Sequence, residues 1–319
     1  MAIETNFRFS HKFARGTKIA ADLLGPLRGF VGNNQKRAWK GTGFNLVWRP
    51  NFNGMSGPKD FFLELFLTNE TLEFTDISGT GIANRGLLQT DIALGGLGYL
   101  QQIDDQFDKS HQHFEPGVWA NIPATTDPNE SPTVVRMGSI PHGTTINLQG
   151  RSLSAQKPQF DTASITPFQI VSPEDGRTNL VHFDEEDLSK PSTSRTPLNQ
   201  VTGLTQQQLS NPNLFLSQAI AQQTIISTTV LIISSDSSAA NSVPDVGGGT
   251  DNIAFLAGKG APPNGGPNAD ALRVTATFWI EKVRDQHGKE FDQVQYTQRV
   301  LLNFNGLSWP HITIATLTD

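Results

Sequence analysis

The clearest alternation in the chain runs over residues 44–49, where Phe44, Leu46 and Trp48 alternate with Asn45, Val47 and Arg49. A period of two is that of a strand whose two faces meet different surroundings. Short apolar segments of this kind recur through residue 150. Residues 60–67, DFFLELFL, are short and Phe-rich, which favours strand over helix. Residues 71–77 predict another strand. Residues 87–94 and 98–104 flank Gly95-Gly96, a hairpin signal. Val118 and Trp119 continue an extended segment, and 127–132 is a Pro/Asp/Asn turn cluster. Residues 133–140 are β-branched and apolar, and 144–148 resume after Pro141-His142-Gly143. Residues 39–150 therefore read as antiparallel strands in meander order.

The pattern changes at residue 151. Through 223 the chain is rich in Ser, Thr, Pro and Gln with weak periodicity, and the acidic run 184–187 reads as a solvated face. Asn211-Pro212 supplies an N-cap and a first helical position for a short helix over 213–223. Residues 224–234 are dominated by β-branched side chains and predict a strand. A Gly- and Pro-rich loop spans 239–268; no Lys-Ser/Thr follows its glycines, so a phosphate-binding loop is excluded. Strands over 272–283, 293–302 and 311–317 close the chain, the first two joined by a hairpin loop at 284–288. Residues 18–27 predict a short helix that Gly25-Pro26 ends. The expected fold is all-β: one enlarged antiparallel β-barrel domain over 1–319. Its strands lie mainly in 36–150 and 224–319, with a loop-and-short-helix insertion over about 151–223 and the long loop 239–268. A closed barrel removes edge strands and can house one hydrophobic ligand. A sandwich without a cavity is the other arrangement open to such strands.

Composition narrows the chemistry. The absence of cysteine excludes disulfides, thiolate nucleophiles and iron–sulfur clusters. A formal charge of −6 without basic clusters argues against nucleic acid or a membrane surface as partner. With no apolar leader and no run long enough for a membrane helix, a cytoplasmic protein with a small-molecule partner is expected. A homo-oligomer is left open.

Four histidines carry candidate chemistry. His142, held between Pro and Gly beside Thr144 and Thr145, suits a general base or a pocket residue, or simply a turn histidine. His113 and Glu115 share a strand face and could polarise a ligand or tie a barrel seam. The H-x-H of His111 and His113, with Glu115, also resembles a cupin ligand set, although the rest of the cupin pattern is not evident. His311, Thr313, Ala315 and Leu317 share one face of the last strand, where the small residues leave room for a flat ligand.

Three motifs in order resemble the nitrobindin-type heme-binding β-barrels, the lipocalin-like family that includes the C-terminal domain of THAP-type proteins. Trp39-Lys40-Gly41-Thr42-Gly43 resembles that family's W-x-G-x-G strand. His113 to Trp119, HFEPGVW, is similar to its H-x-E-x-G-aromatic strand, the aromatic displaced by one. Residues 311–317 resemble its last strand, which begins with the histidine that binds heme iron. The resemblance covers about 36–150 and 272–319 and not the long middle. It implies heme b with His311 as metal ligand and His142 as the catalytic or distal residue. Trp39, Thr42, His113, Glu115 and Trp119 would then line the cofactor site. It further implies action on diatomic ligands or reactive nitrogen and oxygen species, peroxidase-like or as a peroxynitrite isomerase. The residues by themselves also allow a heme-free carrier of an apolar ligand, a cupin-like metal enzyme, or an interaction protein.

Overall fold

The computed structural model of the chain describes residues 22–52, 57–170, 179–237, 244–261 and 265–319. Ten long strands carry the fold: β1 (Lys36–Pro50), β2 (Phe61–Asp76), β3 (Ile92–Asp105), β4 (His111–Ile122), β5 (Thr133–Ile140), β6 (Thr144–Ala155), β7 (Thr224–Ser234), β8 (Asp270–Arg284), β9 (Glu290–Phe304) and β10 (Leu307–Thr318). Each pairs antiparallel with its neighbours in sequence, and β10 returns to β1 from Lys40↔Thr318 to Val47↔His311. The expected antiparallel barrel is therefore the fold, and closure leaves its staves without free edges. Among the described residues, no helix is long and apolar enough to cross a membrane.

Local expectations differ in instructive places. Residues 61–76 form one strand, not two, because the polar Thr68 and Glu70 that suggest a break are buried inside the barrel. Gly95 and Gly96 lie within β3, not in a turn; a Cβ on Gly95 would collide with the backbone of Leu23. Leu87 and Leu88 are 95% and 72% exposed, outside the strand expected over 87–94. The helix expected at 18–27 begins outside the described residues; a 3-10 turn at Gly25–Leu27 leads instead into α1 (Arg28–Val31). The helix expected at 213–223 is the shorter α3 (Leu214–Ala219), preceded by α2 (Gln206–Ser210), whose N-cap Thr205 accepts from the Gln208 amide. Loop 239–268 contains a short strand, Gly249–Asn252, paired with β6, and α4 (Ala254–Ala257).

Strand alternation sorts the barrel interior into levels. At one end Trp39, Phe74, Leu97, Trp119, Val294 and Leu317 pack together and are closed off by the segment from Leu24 to Val31. Phe30 stacks on Phe74 at 4.2 Å and accepts at its carbonyl from Trp39 Nε1 at 2.9 Å. The next level is polar: Glu70, Tyr99, Gln101, Glu115, Arg136 and Tyr296, all buried. Glycine makes room for it, since a Cβ on Gly43 would press on Glu70 and Thr68, and one on Gly138 on Glu115 and Tyr99. Beyond this belt the interior is hollow.

The outward faces of β1, β2 and β10 are also buried. Phe44, Leu46, Trp48, Leu63, Ile312 and Ile314 are covered by Ile165, Val201, Leu209 and Leu216 from the middle of the chain. Trp48 Nε1 donates to the Ile165 carbonyl at 2.9 Å. The long middle segment thus forms a second layer outside the barrel wall. Its acidic run is not simply solvated, because Glu185 is buried and ion-paired with Lys59 at 2.8 Å.

Candidate functional site

The hollow end of the barrel is a cavity of about 390 Å³. Val47, Phe66, Ile103, Ile140, Val300 and Leu302 give it apolar walls, and His113, His142 and His311 all face it. That volume falls within the range of roughly 300–1,000 Å³ typical of small-molecule sites. Leu256 of α4 lies at its rim, where the Ile253 amide donates to the Gly143 carbonyl at 2.8 Å.

His311 sits on the seam that closes the barrel, opposite Val47. The strand does not begin sharply at this residue; it runs from Leu307 through Pro310. Pro310 is tolerated because pairing with β1 ends at His311 and the short pairing with Phe168 begins at Ser308, so neither needs its missing N–H. His311 Nε2 lies 2.9 Å from Asn45 Oδ1, which also accepts from the Thr313 hydroxyl at 2.9 Å. With Asn45 Oδ1 turned toward it, Nε2 is the donor and Nδ1 keeps its lone pair; the amide turned the other way reverses the two. Burial, aided by the nearby His113 and His142, pushes the imidazolium down to about 3, so the ring is neutral.

His113 Nε2 lies 3.2 Å from Glu115 Oε2, as their shared strand face requires. Glu115 Oε1 accepts from Arg136 Nη2 at 2.8 Å and from the Tyr99 hydroxyl. Burial raises the Glu115 carboxyl, but the Arg136 charge and the His113 bond outweigh it and bring it to about 2. Arg136 also donates to Gln298 Oε1 at 2.7 Å and Gln101 Oε1 at 3.2 Å. Gln101 donates in turn to the Tyr296 hydroxyl at 2.8 Å, which donates to Glu70. Burial raises the Glu70 carboxyl to about 7.

His142 is at the rim, its ring 6.0 Å from that of His113 and its Nε2 3.3 Å from the Gln112 carbonyl. Burial and His113 lower its pKa. At the mouth Arg49 pairs with Glu64 and lies over the Phe62 ring at 4.9 Å.

Of the residues singled out in the sequence, His113, His142 and His311 are thus brought together. Glu115 stands just behind His113. Trp39 and Trp119 are not cavity walls; they fill the packed end. Thr42 faces out and is exposed, because it falls on the opposite parity to Trp39 and Asn45. His111 leaves the cupin-type set: a register shift at Ile103/Asp104 turns it outward, onto Asp104 at 2.8 Å. Among the described residues no three His, Asp or Glu side chains are placed to hold a metal ion.

Sequence reading missed Asn45, Gln101, Gln298 and Arg136. Arg136 left a signal, as the one charge in the otherwise apolar and small TVVRMGSI strand. Asn45 shares the parity of Trp39, so the same alternation that predicts the strand puts it inside.

No family model matches the chain, and no curated protein is similar to it in sequence. Among solved structures, the crystal structure of Rv2717c from M. tuberculosis aligns over 94% of this chain and 98% of that one, at 12% identity and a TM-score of 0.37. A match that remote says nothing about function; the barrel stands on its own strand pairing, and the cavity on its lining residues.

Proposed function

We propose that this protein binds a small, largely apolar molecule inside the barrel, and that heme b held by His311 is the occupant its histidines suit best. The carrying observation is His311 itself. The ring is neutral and is anchored through Nε2 to Asn45, and among the described residues no hydrogen bond reaches Nδ1. An oriented, neutral imidazole with one lone pair left is the donor set that single-histidine ligation of iron needs. This reading groups the protein with nitrobindin-like barrels. Heme, when bound, supplies an iron centre that takes up diatomic ligands or transforms reactive nitrogen and oxygen species, in peroxidase-like or isomerase-like chemistry. In that setting His142 is the acid–base residue of the pocket, and His113 is held in orientation by Glu115.

A second reading is a heme-free carrier of an apolar ligand. Its supporting observation is that Asn45 already occupies Nε2 of His311, so the ring also works as a structural tie across the seam.

Absorption spectra during hemin titration of the native chain and of His311→Ala test both. The heme reading expects a sharp Soret band in the native chain that is shifted or lost in the variant. A band untouched by the substitution moves the iron to another residue. No band beyond that of free hemin leaves the carrier reading in place.

A further inference from the structure

The floor of the cavity, set by Arg136, has a directional polarity that limits what can bind there. Arg136 is buried and carries only N–H donors, with no acceptor. Its Nη1 lies 2.7 Å from one terminal atom of the Gln298 side chain, and that atom must therefore be the oxygen. The usual ambiguity in amide orientation is removed by chemistry. The Gln298 NH2 group is then turned away from Arg136. It bonds to no described residue, and Gln298 lines the cavity. Gln101 is oriented by Arg136 in the same way, but its NH2 is used, donating to Tyr296 at 2.8 Å. The floor thus presents the Gln298 amide donor to the cavity with no acceptor among the described residues, and the NH2 of Asn45, whose oxygen is likewise taken, lies at the same level; a donor in an apolar hollow seeks an acceptor.

Charge decides which acceptor fits. Arg136 is already neutralised by Glu115 at 2.8 Å, and Glu70 lies in the same belt. His311 is held neutral. Arg49, at the mouth, is paired with Glu64. A carboxylate driven to the floor would shed its water where the Arg136 charge is already committed to Glu115, and burying such a charge is costly. An uncharged carbonyl meets no such penalty.

Resting on the reading of the cavity as a ligand site, we infer that Gln298 Nε2 is a specificity-determining donor. The ligand's leading end is an uncharged oxygen acceptor, a ketone, ester or amide carbonyl, on an apolar body. Gln298 touches the ligand, and Arg136 is the positioning residue that aims it.

The test is calorimetric titration of the native chain with 2-nonanone, with 2-methyl-1-nonene, which replaces C=O by C=CH2, and with nonanoate. The ketone is expected to bind roughly five- to tenfold tighter than the alkene, the worth of one hydrogen bond in a dry site, and tighter than nonanoate. Gln298→Glu keeps an oxygen for Arg136 but removes the donor. It should abolish the preference for the ketone while alkene binding persists. Equal binding of ketone and alkene to the native chain, or tighter binding of nonanoate, overturns the inference without any variant. So does a ketone preference that survives in Gln298→Glu. Failure of all three probes to bind the native chain would instead refute the cavity as a small-molecule site, and the inference with it.

Discussion

His311 and Asn45 tie the last strand of the barrel to the first, Nε2 to Oδ1 at 2.9 Å, at the point where pairing between the two strands ends. The tie has a proton-linked consequence. In the unfolded chain the imidazole takes up a proton near its ordinary value of 6.5, whereas in the fold it does so only near 3. Stability contributed by the neutral ring is full above 6.5 and is lost as pH falls from there toward 3. His311→Gln removes that dependence. Denaturant midpoints at pH 7 and pH 4.5 should fall further for the native chain than for the variant, and equal falls would contradict the assignment.

Arg136 and Glu115 form a second buried relationship, with side chains 1% and 0% exposed. Removing one partner strands the other charge in a dry belt. Glu115→Gln is expected to lower unfolding free energy by roughly 3–5 kcal/mol. Removing both charges together, Glu115→Leu with Arg136→Met, should recover a large part of that loss. A double variant as unstable as the sum of the singles would show that the two act independently.

Glu281 predicts a pH effect of the opposite sign. It is buried beneath the middle segment, where loss of water raises its carboxyl to about 7 and Gln293 donates to it at 2.8 Å. The fold favours the protonated acid, so its contribution is full below the ordinary 4.5 and is lost as pH rises to about 7. Glu281→Gln keeps the shape without the ionisation. Thermal unfolding should show the variant gaining on the native chain between pH 5 and pH 8, and a constant difference would count against it.

Trp48 tests the outer layer. It is fully buried between the wall of the barrel and the middle segment, and its indole N–H holds the Ile165 carbonyl. Trp48→Ala should cost about 3–5 kcal/mol. Limited proteolysis should then cut first within 155–223. Unchanged cleavage would mean that this segment is held elsewhere.

Much of the barrel was legible because its strands alternate. The 224–234 strand and the pair around Pro141-His142-Gly143 could be read directly from β-branched runs and turn residues. Thr68 and Glu70 misled because polar side chains buried by partners across the barrel look locally like a loop. Gly95-Gly96 misled because close approach of another backbone and a turn call for the same residue. In the site, His113, His142 and His311 were found by their chemistry. Trp39 and Trp119 were placed at the wrong end, because parity gives the face of a strand but not its depth along the barrel axis. Gln298 could not be found at all, since its importance lies in an Arg136 contact spanning 162 residues.

The hollow between the belt and the histidines is the proposed seat of the ligand. Ala271 lines this cavity from β8 and is 4% exposed, so Ala271→Phe projects a ring into the space while the belt and the histidines keep their partners. The deciding measurement is titration of this variant with hemin and with 2-nonanone, alongside circular dichroism to confirm the fold. A ligand seated in the hollow predicts a folded variant barrel that binds neither ligand, where the native chain binds at least one. A folded variant that binds either as tightly as the native chain would put the binding site elsewhere on the molecule.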